Sequence, residues 1–444
     1  MKMLPPDLRA RLRPGGPGVL SARDGSVRFD ALITGNPLSV DPASLDGVHV
    51  LLRTADQLAA ALALIALDGI AARIVVAPPD LKEDFLGDVI RRAEIDTLVT
   101  DGAAIEGLRK VEISTDLKPG AAMEAKRASE WVMFTSGTTG APKMVAHTLE
   151  ALTGAIKPAD SPVVWGTFYD IRRYGGLQIF LRAVLGGASL ILSDAEESIA
   201  DFLDRLGKGG VTHLTGTPSH WRRALMSPGL ARVTPGYVRL SGEIADQAVL
   251  DSLKARFPKA AIGHAYASTE AGVGFEVTDG LEGFPASFVG AAGAVEMRVV
   301  DGCLQIRSPR TASRFIGSTE PLKDGDFVDT GDMVELRGAR YYFAGRRGGI
   351  INVGGLKIHP EEVEAVINRH PAVRLSRVSG RRSPITGAIV VAEVVLDESE
   401  DRDKVQAEIL RDCRASLKPF QVPAMVRVVP KLELSAGGKL IRHA

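Results

Sequence analysis

Nine residues, Thr135 to Lys143 (TSGTTGAPK), follow the apolar run Trp131 to Phe134 and constrain this chain more than any other stretch. The run predicts a short strand entering a loop. In that loop the glycines let backbone amides converge on oxygen atoms, while Thr and Ser hydroxyls and Lys143 add charge-assisted hydrogen bonds, a chemistry suited to polyphosphate. Candidate phosphate residues are Thr135, Ser136, Gly137, Thr138, Thr139, Gly140 and Lys143. A Walker loop is disfavoured: it requires Gly-x4-Gly-Lys-Ser/Thr, and Pro142 stands five positions after Gly137. Taken alone, such a run also suits a solvated turn, so the choice falls to the rest of the chain.

From Leu58 to Asp101 the pattern alternates between an apolar helix, the strand-like RIVVAP, an amphipathic helix from Lys82 to about Arg92 and the strand-like DTLVTD. This is a βαβ rhythm. Apolar runs at Ser189 to Leu192, Val211 to Leu214, Val238 to Leu240 and Ala261 to Tyr266, separated by helical stretches, predict α/β layers with helices covering largely parallel sheets. After about Ala286 the pattern changes to short strands with tight turns, with Asp301-Gly302 as a hairpin signal. A glycine-dense crossover, RRGGIINVGGLK, then leads into a helix opening at Pro360, with Glu361, Glu362 and Glu364 where a helix dipole favours acids. The expected fold class is α/β: residues 1–347 form a large, multi-lobed N-terminal domain of layered sheets with a small β-rich lobe. Residues 348–444 form a small, mobile α+β cap.

With 444 residues and 45% hydrophobic content the chain can bury large cores, so two or three lobes are expected. Lys+Arg and Asp+Glu balance at 54 each, which gives no global field to recruit nucleic acid or anionic membrane and points to small-molecule partners. Cys303 and Cys413 are the only cysteines, too few for a disulfide framework and compatible with a reducing cytoplasm. The N-terminal stretch lacks the apolar core of a signal peptide. The greasiest run, Leu58 to Leu67, is bracketed by Asp56 and Asp68 and is shorter than the roughly 20 apolar residues of a membrane span.

WVMFTSGTTGAPKMV resembles the AMP-binding signature of the adenylate-forming superfamily, and five further segments follow in that family's order. RLSGE at Arg239 to Glu243 resembles the turn bordering adenine, implicating Ser241, Gly242 and Glu243. HAYASTEAG at His264 to Gly272 resembles the Tyr-Gly-x-Thr-Glu element, with Ala267 in place of glycine. The resemblance implies that Tyr266 stacks on adenine, Thr269 bonds the α-phosphate and Glu270 holds Mg²⁺, which agrees with the chemistry of a hard cation and a purine face. DTGD and FAGRR match the ribose-clasping segments and point to Asp332 and Arg346; by themselves these residues would also read as a hairpin end and a surface ion pair. SAGGKLIR at Ser435 to Arg442 places Lys439 at the family's catalytic lysine, a flexible ammonium able to neutralise charge as a carboxylate attacks phosphorus. Glu433 replaces the usual proline two residues before Ser435.

The chain is thereby identified as a short member of the class I adenylate-forming family, most like an acyl-CoA synthetase. The resemblance implies ATP, Mg²⁺ and CoA as reactants or cofactors, with a small carboxylic acid as substrate. It also implies a cap that swings about Gly348 between two steps and presents Gly354, Gly355 and Lys357 to the thiol. Lys357 equally suits a solvated strand edge. The acyl pocket is expected from WGTFYDIRRYGGLQ and AGVGF, with Tyr169, Arg172, Tyr174, Gly272 and Val273 as candidates. Arg172 and Arg173 could bind a second substrate carboxylate or pair with Asp170. Transfer to a carrier protein is the alternative second step, and a non-catalytic nucleotide binder is the remaining one.

Overall fold

The computed structural model describes residues 7–12, 16–120, 124–135, 142–157, 162–353, 355–383, 387–397, 401–435 and 438–441. Its centre is the helix Gln57–Leu67. Apolar at nearly every position, this segment has no polar stripe to turn toward water, and all 11 residues are buried. The Asp56 carboxylate caps it by accepting from the Leu58 and Ala59 amides. Asp68 closes the other end, accepting from the Leu8 amide at 2.9 Å and the Trp131 indole at 3.0 Å.

Two eight-stranded sheets share one core with this helix. The first runs in the order Arg314–Ile316, Met144–His147, Glu130–Phe134, Arg73–Val76, His49–Leu52, Thr97–Thr100, Arg109–Pro119, Gly35–Leu38. The second runs Gly272–Val277, Ala261–Ser268, Tyr237–Ser241, His213–Gly216, Val164–Thr167, Ser189–Leu192, Val19–Ser21, Ser26–Arg28. Both are parallel through the middle and antiparallel toward the edges. Gln57 ties the second sheet to the helix, donating to the Ser193 carbonyl at 2.6 Å and accepting from the Ile171 amide at 2.9 Å.

A five-stranded antiparallel sheet follows, in which Val300 and Cys303 pair across Asp301-Gly302. Both turn residues have positive φ, 50° and 75°, as a two-residue type I′ turn requires. From Ile351 onward a separate core forms from two helices, Pro360–Ile367 and Arg402–Ser416, against a three-stranded sheet. Pro360 sits at the first helical position, as its missing N–H allows.

Two expected elements shift. The strand expected at Val211 to Leu214 is His213–Gly216, because Val211 belongs to the preceding helix terminus, its amide bonding the Leu206 carbonyl. The helix expected from Lys82 is a 3₁₀ turn over Glu83–Phe85 leading into Leu86–Ala93. No described helix is long and apolar enough to cross a membrane.

Burial holds three ionisable groups away from their ordinary states. It pushes the His147 imidazole down to about 4 and that of His220 to about 3, and raises the Asp68 carboxyl to about 6. As pH falls below 6.5 the unfolded chain protonates both imidazoles while the fold does not, so stability declines. Asp68 acts oppositely, since below 6 the fold takes up a proton that the unfolded chain binds only near 3.8. Together the three predict a net loss of about 2 kcal/mol between pH 7 and 5. Urea midpoints at the two pH values check this, and the loss should shrink in His147→Gln; a flat profile counts against it.

Candidate active site

The hydroxyl- and glycine-rich loop after Phe134 is closed at its base. Glu130–Phe134 and Met144–His147 pair antiparallel with Phe134 opposite Met144, and the Thr135 amide donates to the Lys143 carbonyl at 3.0 Å. Ser136, Gly137, Thr138, Thr139 and Gly140 lie outside the described residues. Lys143 is exposed and pairs with Glu320 at 2.8 Å. A surface pair of this kind is worth only about 0–1 kcal/mol, so it holds the ammonium weakly against a competing phosphate.

The remaining candidates collect where parallel strands of the second sheet end. Val164–Thr167, His213–Gly216, Tyr237–Ser241 and Ala261–Ser268 are parallel neighbours. Their carboxyl ends therefore deliver Tyr169, Thr217, Gly242-Glu243 and Thr269-Glu270 to one crevice, the usual ligand position of open α/β sheets. Tyr169 donates to the Ser241 carbonyl at 2.8 Å. Glu243 accepts from the Ser219 amide at 2.9 Å and hydroxyl at 3.1 Å. The Thr269-Glu270 turn is held by the Ala312 amide, which donates to the Glu270 carbonyl at 2.9 Å.

Tyr266 lies parallel to Phe275 and Phe343, with ring centroids 5.6 and 5.5 Å away, and its hydroxyl donates to Asp332 Oδ2 at 2.7 Å. Burial, then the Asp332 charge, holds that phenol protonated, well above its ordinary value. Arg346 Nε donates to the other Asp332 oxygen at 3.1 Å. Partial desolvation pulls the Arg346 guanidinium down, but Asp332, Tyr266 and Glu270 more than offset it and hold it above its ordinary value. These candidates thus share one electrostatic neighbourhood. Among the described residues no group of three His, Cys, Asp or Glu could hold a metal unaided. A single carboxylate such as Glu270 fits a Mg²⁺ whose other ligands are phosphate oxygens and water.

Lys439 reaches this crevice from the far end of the chain. Its loop is a short hairpin: Ser435 N donates to Lys439 O at 2.7 Å, and Leu434 bridges Leu440. Thr217 Oγ1 donates to the Gly438 carbonyl at 2.8 Å, and the Leu440 amide to Glu243 Oε1 at 3.1 Å. Lys439 Cε lies 3.3 Å from where a Cβ on Gly242 would stand, and Gly242 has φ of +88°, so glycine there serves both turn and lysine. Burial lowers the Lys439 ammonium below its ordinary value; Glu243 and Asp332 work against that shift, Arg346 and Arg173 with it. Arg442 lies outside the described residues. The motif reading missed Thr217, His220 and Gly438, which seat the lysine, because their contacts join segments more than 200 positions apart.

In the expected acyl pocket the two arginines differ. Arg172 is buried and donates to Asp170 Oδ1 at 2.9 Å and Oδ2 at 2.6 Å, with further bonds to the carbonyls of Thr54 and Ala55. Arg173 pairs with Asp80. The Arg172 guanidinium is thus taken up within the fold, which corrects its assignment to the pocket; Arg173 keeps a buried Nε with no hydrogen-bond partner among the described residues, and its charge reaches Lys439. Tyr174 opens the helix Tyr174–Gly186 and is buried, as is Val273. At Gly272, φ is +75° and a Cβ would stand 2.2 Å from the Arg310 carbonyl, so only glycine fits.

Gly348 lies in the 3₁₀ turn Arg347–Gly349, and a Cβ at that position would meet nothing within 4 Å, so space alone does not demand glycine. Gly354 is outside the described residues; Gly355 has φ of +86°, and Lys357 is exposed on Leu356–Ile358. A cleft of about 650 Å³ between the C-terminal segment and the helix Gln247–Arg256, lined in part by Arg222, Gln247, Asn368 and Arg374, contains none of the candidates.

Comparison with known proteins gives matches to two family models, AMP-binding enzyme over residues 45–309 and AMP-binding enzyme C-terminal domain over 362–439. The 2-succinylbenzoate--CoA ligase of Salmonella typhimurium (strain LT2) is 28% identical over 438 residues, covering 96% of this chain and 92% of the relative. That of Listeria monocytogenes serotype 4b (strain F2365) is 28% identical over 332 residues, covering 70% and 68%. In fold, the chain resembles the anthranilate CoA ligase AuaEII, solved in complex with anthranoyl-AMP, with a TM-score of 0.79, 17% identity and coverage of 98% and 95%.

Proposed function

The chain belongs to the AMP-binding enzyme family, and we propose that it is an AMP-forming acid-thiol ligase that activates a carboxylic acid with ATP and passes the acyl group to CoA. Relatives named as CoA ligases, one of them covered over nearly its whole length, support both steps. The observation that carries the site assignment is the docking of Lys439 beside Gly242 and Glu243, in the same field as Asp332 and Arg346.

In the first step a carboxylate oxygen attacks the α-phosphorus of ATP, the bond to the β-phosphate bridging oxygen breaks, and pyrophosphate leaves. Lys439 neutralises charge gathering on the α-phosphoryl oxygens, with Thr269 as a second donor. Tyr266 and the Asp332–Arg346 pair orient adenine and ribose, which makes the reacting oxygen a neighbour rather than a diffusing partner. Glu270 would hold Mg²⁺ together with phosphate oxygens, and the bound ion would supply charge neutralisation on the polyphosphate. In the second step the CoA sulfur attacks the acyl carbonyl, the bond to AMP breaks, and the thiol proton passes to solvent. The Gly355 and Lys357 surface receives the thiol once the segment after Gly348 has turned and withdrawn Lys439. Two free, buried cysteines suit work in a reducing cytoplasm.

Acid-dependent exchange of labelled pyrophosphate into ATP, followed by thioester formation with CoA, tests the reading. Exchange without any thioester to CoA would replace CoA by another acceptor, and no exchange with any acid would overturn the first step. Gly348→Pro isolates the turn between the steps. Proline fixes φ near −65° and removes an amide donor, so one half-reaction should survive, adenylation being the expected one, and the other fall at least about tenfold. Equal falls in both would move the hinge elsewhere.

A further inference from the structure

Arg172 and Arg173 are adjacent, and the fold uses them differently. Arg172 commits its guanidinium to Asp170 and to the carbonyls of Thr54 and Ala55, which pins the turn 168–173 to the first sheet. Its neighbour has no such anchor. Arg173 Nε is shielded from solvent and closes no hydrogen bond among the described residues, while Nη2 donates to Asp80, whose side chain is 48% exposed. An ion pair with so exposed a carboxylate contributes little, whereas burying an unpaired guanidinium N–H is costly. Asp80 does not explain the burial. Buried polar groups are almost always paired, so this Nε marks a place where the partner is a ligand.

The position in the fold narrows the ligand. Asp80 follows the strand Arg73–Val76, which runs parallel to Glu130–Phe134, so its segment leaves the sheet beside the start of the Thr135–Lys143 loop. At the other end of the turn Tyr169 donates to the Ser241 carbonyl at 2.8 Å, beside Gly242, where Lys439 stands. The turn thus bridges the phosphate loop and the lysine, with Arg173 at the loop end. Lys439 responds to it: burial lowers its ammonium most, Arg346 and Arg173 act in the same direction, and Glu243 and Asp332 oppose them. Both of those carboxylates are engaged, Glu243 by Ser219 and the Leu440 amide, Asp332 by Tyr266 and Arg346. Arg173 and Lys439 therefore share one field with neither carboxylate free to sit between them.

We propose that Arg173 is a further catalytic residue of the first step, binding the reacting carboxylate of the substrate acid and holding it toward the α-phosphoryl group that Lys439 neutralises. Without a cation on its own side, the acid anion would approach a phosphoryl group of the same sign, and a planar guanidinium suits a carboxylate. Arg173 keeps all its protons throughout. The carboxylate oxygen bonds to the α-phosphorus as the bond to the bridging oxygen breaks, and the arginine then faces an uncharged acyl carbonyl. Between turnovers Asp80 holds the side chain in place. The inference rests on the ligase reading above and adds to it the group that receives the reacting carboxylate.

Pyrophosphate exchange is measured with benzoate, 3-phenylpropanoate, hexanoate and glutarate, and the acid that exchanges fastest is carried forward. Arg173→Met should raise KM for that acid about 30-fold with KM for ATP within about threefold, because the charge-assisted bonds lost are to the acid alone. Arg173→Lys should recover part of the loss. Thioester formation from supplied acyl-AMP should stay close to wild type in both, since that carboxyl no longer carries charge, and this half-reaction also reports that each variant folds. The pH profile gives a readout that packing alone would not move: without the Arg173 charge the alkaline limb of exchange should shift to higher pH, and with Arg173→Lys it should stay. Asp80→Asn should leave the acid KM within about threefold. Equal rises in both KM values, an unmoved alkaline limb in Arg173→Met, or an Asp80→Asn defect matching that of Arg173→Met would each overturn the proposal, the last by making the arginine a partner of the ion pair. If Arg173→Met does not fold, Arg173→Lys decides, an acid KM equal to that of wild type overturning the proposal. Wild-type protein that binds Mg·ATP but exchanges with no acid defeats the ligase reading instead.

Discussion

Lys439→Ala should reduce acid-dependent pyrophosphate exchange by about 1,000-fold, equivalent to about 4 kcal/mol of transition-state stabilisation. The same protein should convert supplied acyl-AMP and CoA to thioester at close to the wild-type rate. The asymmetry follows from where the lysine sits, its Cε 3.3 Å from where a Cβ on Gly242 would stand, on the segment that the proposed mechanism withdraws before the thiol enters. The pH profile carries a second signature. Since burial lowers the Lys439 ammonium below the ordinary 10.5, exchange should fall on the alkaline side before free lysine would deprotonate, and the thioester step should not follow it. Comparable losses in both half-reactions would place Lys439 in binding or stability rather than in the first step.

Gly438→Ala is expected to approach that defect without touching a reactive group. A Cβ at Gly438 would stand 1.9 Å from two atoms of the His220 ring, and Gly438 has φ of +70°. The ring has little freedom to yield, because it stacks on Phe168 at 5.5 Å and its Nδ1 accepts from the Thr217 amide at 3.2 Å. Displacing the hairpin would break the Thr217 to Gly438 and Leu440 to Glu243 bonds together and carry Lys439 out of the crevice. Exchange should drop about 100-fold or more, with thioester formation spared and little change in melting temperature, since the C-terminal core lies elsewhere. The double variant Gly438→Ala with His220→Ala should recover at least about tenfold, limited by the roughly 1–2 kcal/mol that a left-handed backbone costs alanine. A single variant with full exchange, or a double variant with no recovery, would show that this contact does not seat the lysine.

The residues legible in advance were those whose chemistry is local. The Asp301-Gly302 turn, the buried run Gln57–Leu67 with its flanking aspartates and the helix opening at Pro360 each follow from a few adjacent side chains and their allowed backbone angles. Tyr266, Asp332 and Arg346 could be named from motifs, although the bonds that join them cross up to 66 positions. Arg172 shows the opposite case. Its type and place suited a substrate carboxylate equally well, and only packing revealed that Asp170 and two backbone carbonyls consume its donors.

The sequence by itself therefore determined the α/β layering, the order of the nucleotide motifs and the class of chemistry, because periodicity, turn residues and short motifs act over distances the chain spans locally. Tertiary structure alone decided which arginines are taken up within the fold. Arg172 and Arg182 are ten positions apart and chemically identical; one meets a carboxylate two residues away, and the other lies in the field of Arg239, Tyr237 and Glu276 from separate strands. Seating Lys439 depended likewise on the absence of a Cβ at Gly438 and Gly242, a condition set by a histidine ring and a lysine stem that no local pattern brings near. Satisfaction of a buried polar group is a property of the whole packed neighbourhood, and it forms only when the sheets and the terminal hairpin close on one another.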